Sequence, residues 1–122
     1  MRTARALAFL ALAWAPAALA CGICIEDKVA ATYDYAVVQQ AAARHHVVVF
    51  AAVETPADPR VLGRAAAHVR GIDRASVRAA ASPGALSFAL DPGQSNPIAA
   101  LRAIEREPQV AGVRLTLIRL MR

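Results

Sequence analysis

Two segments of this chain open in the same way. Asp58-Pro59 and Asn96-Pro97 each set a capping side chain ahead of a proline. Proline is tolerated at the first position of a helix, where its missing N–H costs nothing, so each pair predicts a helix start. The first helix carries Val61, Leu62, Ala65, Ala66 and Val69 and stops near Gly71. The second carries Ile98, Leu101 and Ile104 and stops before Pro108. Apolar runs of another period surround them. His46 to Val53 (HVVVFAAV) is continuous, β-branched and aromatic, as a central strand is. Ala75 to Ala81 and Ala85 to Leu90 flank Ser82-Pro83-Gly84, a turn signal. Val110 to Met121 alternates Val113, Leu115 and Leu117 against Arg114 and Thr116.

The order strand–helix–strand–strand–helix–strand predicts an α+β, ferredoxin-like βαββαβ domain over residues 46–122. Its sheet is four-stranded and antiparallel, with both helices on one face. The other face needs a cover. Ile25 to Ala43, a single additional N-terminal helix with Ile25, Val29, Tyr33, Ala36, Val37 and Gln40 in a stripe, is the obvious cover for it or for an edge. Glu26 and Asp27 would stand in its first turn, where the helix dipole favours acids, and Arg44 would close it.

Residues 1–20 read as a signal peptide. Arg2 and Arg5 precede the apolar run Ala6 to Ala15, Pro16 breaks it, and Ala18-Leu19-Ala20 offers small residues for cleavage. The run is about half of the ~20 residues that span a bilayer, so no transmembrane segment is expected in the mature chain. The expected location is periplasmic or secreted. Cys21 is also where a bacterial lipoprotein carries its lipid. Ala18 and Leu19 stand in the reverse of the usual lipoprotein order, which favours simple cleavage, with a lipid anchor as the alternative.

Removing those 20 residues from 122 leaves one domain. Without Arg2 and Arg5, 12 of the 14 basic residues remain against 9 acidic ones. They are scattered, and Tyr33, Tyr35, Phe50 and Phe88 are the only aromatics left after residue 20. Neither a basic stripe nor a stacking platform is present, which argues against nucleic acid as a partner. Both cysteines of the chain fall in Cys21-Gly22-Ile23-Cys24. A disulfide gains most by closing a long loop, so this pair points to chemistry rather than architecture. Two such thiolates can chelate Cu(I), or zinc with further ligands, or cycle between dithiol and disulfide.

Val47 to Leu120 resembles the heavy-metal-associated domain of copper chaperones and metal-transporting ATPases. The resemblance rests on Val69-Arg70-Gly71-Ile72-Asp73, Ser76-Val77-Arg78, Gly84-Ala85-Leu86-Ser87-Phe88, Asp91-Pro92, and Ile98, Leu101 and Ile104. It implies a ferredoxin-like fold and a role in metal handling. In that family a Cys-x-x-Cys pair lies between the first strand and first helix. Here that loop is Glu54-Thr55-Pro56-Ala57-Asp58, without cysteine.

The N-terminal helix, about 28 Å long, matches the first strand, about 26 Å. Laid antiparallel, it would return Cys21 and Cys24 to the Glu54–Asp58 end. His45, His46 and His68 form a second candidate set, for zinc or Cu(II), at the opposite end; surface or half-buried histidines are the plainer reading. Asp58 is explained as a helix cap, Asp34 and Glu54 as solvated acids, and Arg64, Arg70 and Arg78 as surface charge. No catalytic constellation stands out. The expectation is an exported metal-handling accessory protein binding a soft metal through Cys21 and Cys24, alone, as a homodimer or with a partner protein. The alternatives are a non-catalytic interaction module, lipid-anchored or free, docking through its sheet, and a thiol-disulfide redox protein.

Overall fold

The structure is a computed structural model that describes residues 17–122, with side chains from Ile25 onward. The elements follow the chain as α1 (Ala17–Thr32), α2 (Tyr35–Ala43), β1 (Val47–Val53), α3 (Pro59–Ala67), β2 (Arg78–Ala81), β3 (Gly84–Leu90), α4 (Pro97–Glu105) and β4 (Leu115–Met121). The sheet has four strands in the order β2-β3-β1-β4. Every pairing is antiparallel, so the expected α+β fold with a ferredoxin-like sheet is present.

Both cap-and-proline signals work as read. Asp58 Oδ1 accepts from the Arg60 N–H at 2.9 Å, and Asn96 Oδ1 from the Ala99 N–H at 2.9 Å. Each satisfies a helix-start donor that no intrahelical carbonyl reaches. The turn at Ser82-Pro83 closes the β2–β3 hairpin, pairing Ala81 with Gly84. A Cβ on Gly84 would stand 2.9 Å from the Val53 carbonyl oxygen, so glycine is required by the approach of the neighbouring strand. Two strands are shorter than expected. Arg74–Ser76 is a 3-10 turn because Asp73 caps it through the Ala75 N–H, and β2 begins only at Arg78. Pro108–Val110 is a second such turn, which delays β4 to Leu115.

Two cores lie on the two faces of the sheet. The larger packs Leu62, Ala65 and Ala66 of α3 and Leu101 and Ile104 of α4 against Val49, Leu86, Phe88 and Leu90. The smaller packs Val29 of α1 and Val37 and Ala41 of α2 against Val48, Phe50 and Ala89. Cross-strand partners share a face, so the register assigns alternate residues of β1 to alternate cores. Both faces of the sheet are therefore covered.

The N-terminal cover is two helices rather than one. Asp34 interrupts it, accepting from the N–H groups of Ala36 at 3.0 Å and Val37 at 3.4 Å. An aspartate in extended conformation with that geometry is an N-cap, and it starts α2. The apolar stripe misleads here, because Ile25 and Tyr33 are 38% and 45% exposed while Val29 and Val37 are buried. Glu26 does not stand in a first turn either, since α1 begins at Ala17. No described helix is long and apolar enough to cross a membrane.

Candidate functional site

The side chains of Cys21 and Cys24 lie outside the described residues. The path of the described part of α1 is nevertheless defined by three contacts. Arg119 of β4 donates to the Glu26 carboxylate through both terminal nitrogens. The Ser87 hydroxyl of β3 donates to the Thr32 carbonyl at 3.2 Å. Arg78 of β2 donates to Asp34 Oδ2 from Nε at 3.2 Å and from Nη2 at 3.0 Å. Phe50 pairs with both Ser87 and Arg119, and Ser87 pairs with Arg78, so these residues form one row across the sheet.

The described part of α1 thus crosses the strands from the β4 edge to the β2 edge. From Glu26 to Thr32 the helix rises about 9 Å, and Tyr33 and Asp34 carry the chain over the rest of the roughly 14 Å across three strand spacings. The expected antiparallel alignment of this helix along β1 is not formed. Its basis was equal length, whereas the ion pairs and the Thr32 carbonyl align the helix along the row. Arg78 and Asp34 are accordingly not surface charge and solvated acid. Sequence reading passed over them because the partners stand 44 residues apart, and Glu26 and Arg119 stand 93 apart.

These pairs predict acid sensitivity. The Arg78 guanidinium holds the Asp34 carboxyl below its ordinary 3.8, and the Arg119 guanidinium holds Glu26 below 4.5. Each lowered group binds its proton less readily folded than unfolded. Its contribution is complete above the unfolded value and is lost as pH falls through the lowered one. The thermal midpoint should therefore drop on the acid side of pH 4.5, and Glu26→Gln with Asp34→Asn should flatten that drop. Circular dichroism melts between about pH 6 and 3 test this. An unchanged acid slope in the double variant would remove these two carboxylates as the cause.

The β1–α3 loop is occupied by structural work. The Glu54 N–H donates to the Arg114 carbonyl at 2.9 Å, and Asp58 is the α3 cap. Glu54 is exposed, as expected, and the loop's own residues include no cysteine or histidine. At the other end of the sheet the three histidines play separate parts. His45 follows α2 with φ 57°, a left-handed conformation. Its N–H donates to the Ala42 carbonyl at 3.2 Å and the His46 N–H to Ala41 at 2.8 Å, which closes the helix. His46 is half-buried, with Nδ1 lacking a hydrogen-bond partner among the described residues. His68 is the exposed C-cap of α3. Among the described residues, no three of His, Cys, Asp or Glu converge on a point that suits a metal, so the histidine set is not assembled.

His45 holds a backbone conformation that glycine adopts without penalty. His45→Gly should stabilise the domain by about 0.5–1 kcal/mol. Urea unfolding measures this, and a loss of stability would mean that the imidazole itself is holding the turn.

Near His46, Asp91 lies below its ordinary 3.8 chiefly because the Gly93 N–H and the Gln94 side chain donate to it, with the charge of His46 adding a smaller effect. A polar pocket of about 300 Å³ joins His46 and Asp91 to Arg44, Asp73 and Gln94. Arg44 and Asp73 are already paired at 3.3 Å. The pocket's charges are spent on one another and on turns, and it offers a ligand little. No family model, curated protein or solved structure matches this chain.

Proposed function

We propose that the chain is exported and handles a soft metal ion through Cys21 and Cys24, with copper(I) as the first cargo and zinc as the second. One observation carries the reading: the only two cysteines stand at chelating spacing ahead of a ferredoxin-like sheet, the fold of the metal-binding domains that the sequence resembles. Residues three apart share one side of a helix, so two thiols at this spacing can approach one ion. Thiolates select Cu(I), which accepts two ligands, whereas a structural zinc wants four. Two N-termini in a homodimer would supply those four.

The chemistry is displaced relative to the family the chain resembles. The loop between β1 and α3 lacks thiols, and the pair belongs to the N-terminal segment instead. Metal capture is then a property of that segment, and the domain behind it supplies the scaffold.

Intact mass of the exported protein comes first. It should equal the chain from Cys21 with no added acyl mass, leaving both thiols free. Titration of the reduced protein should then saturate at about one Cu(I) per chain or per dimer. A lipidated Cys21, or a reduced chain that takes up no Cu(I), would overturn the reading.

A further inference from the structure

We propose that the groove between α3 and β2 docks an acidic peptide in extended form, added as a strand along the free edge of the sheet. This lies beyond the metal reading and does not depend on it. β2 pairs with β3 alone, so its outer backbone edge has no strand partner among the described residues. Free edges are usually guarded by bulky or charged side chains. Here the one charged residue of the strand, Arg78, is folded back onto Asp34 and the carbonyls of Ala75 and Val77, and Ala79, Ala80 and Ala81 beyond it leave room for a second backbone to approach.

Beside that edge is a groove of about 400 Å³. Gly63, Ala67, Val77 and Ala79 form its small, apolar floor, and Arg60, Arg64 and Arg74 rim it. The three arginines are exposed, and none has a carboxylate within ion-pair reach among the described residues. Arg44, Arg78, Arg102 and Arg119 are each paired. The opposite edge differs, because the pocket beside β4 balances Arg102 and Arg114 with Glu54 and Glu105.

The occupant follows from this chemistry. An added strand makes main-chain hydrogen bonds to β2 and turns every second side chain toward α3. Carboxylates at those positions meet Arg60, Arg64 and Arg74, and their methylene stems lie on the floor of Val77 and Ala79. Guanidinium groups pair well with carboxylates in this geometry. A nucleic-acid strand finds positive charge here but no aromatic ring to stack on.

The test uses a fluorescein-labelled octapeptide of alternating Glu and Val, with fluorescence polarisation against the full exported chain at about 150 mM salt. Comparators carry Lys for Glu, or Pro for Val, and a short oligothymidine tests the nucleic-acid source. Proline keeps the charge and removes the N–H groups that strand pairing needs. The Glu-Val peptide should bind at least about tenfold more tightly than any comparator. Arg60→Glu with Arg64→Glu should weaken it at least about tenfold, while Arg106→Glu, off the groove, should leave it within about twofold. Equal binding of the proline peptide or of oligothymidine would overturn the proposal. So would indifference to the Arg60/Arg64 exchange.

Discussion

Phe50→Ala should destabilise the domain by about 3–5 kcal/mol. The ring is 1% exposed and sits on the smaller core, between the sheet and both N-terminal helices. Removing it takes away the contact surface for Val29 and Val37 and leaves a cavity that their short side chains cannot fill. The loss should be uneven. The α3–α4 core does not include Phe50, and it holds its own face with Leu62, Leu86, Phe88 and Leu101. Hydrogen exchange should therefore lose protection in α1 and α2 first, while β1 and β3 remain slow. Urea unfolding gives the total, and exchange gives its distribution. Equal loss of protection on both faces would show that the two layers unfold as one unit.

Cys24→Ala should abolish Cu(I) binding, the largest effect expected of any single substitution here. One thiolate remaining at Cys21 cannot chelate, and soft-metal affinity at a two-ligand site depends on both donors. No nearby set of three donors stands ready to substitute among the described residues. The sheet should be untouched by this change. Among the described residues, the side chains that fill its two cores come from Val29 onward.

Much of the fold is legible in the sequence because local signals and tertiary packing agree. Asp58-Pro59 and Asn96-Pro97 start helices, Ser82-Pro83 turns a hairpin, and the alternation of Leu86, Phe88 and Leu90 marks the α3–α4 side of β3. The N-terminal layer was not legible in the same way. Its periodicity runs unbroken through Asp34, so a single helix fits the pattern. What breaks it is the capping aspartate together with Arg78, a partner on a strand far along the chain. The crossing direction likewise depends on Arg119 and Ser87, which no local pattern links to Glu26 and Thr32.

The histidines illustrate the same limit. His45 and His68 both end helices, one in a left-handed turn and one in a right-handed cap, and His46 begins the approach to β1. Each has its own backbone role, and among the described residues no three-donor metal site forms from them. The thiol pair differs in that Cys21 and Cys24 are brought close by sequence spacing, so the proposed site needs no long-range contact to assemble it.

Competition against a Cu(I) chelator under reducing conditions tests the central claim most directly, with the parent chain, Cys24→Ala and His68→Ala side by side. The parent and His68→Ala should hold copper equally well, and Cys24→Ala should surrender it to the chelator. Equal retention by the parent and Cys24→Ala would contradict the account and remove the thiol pair as the site.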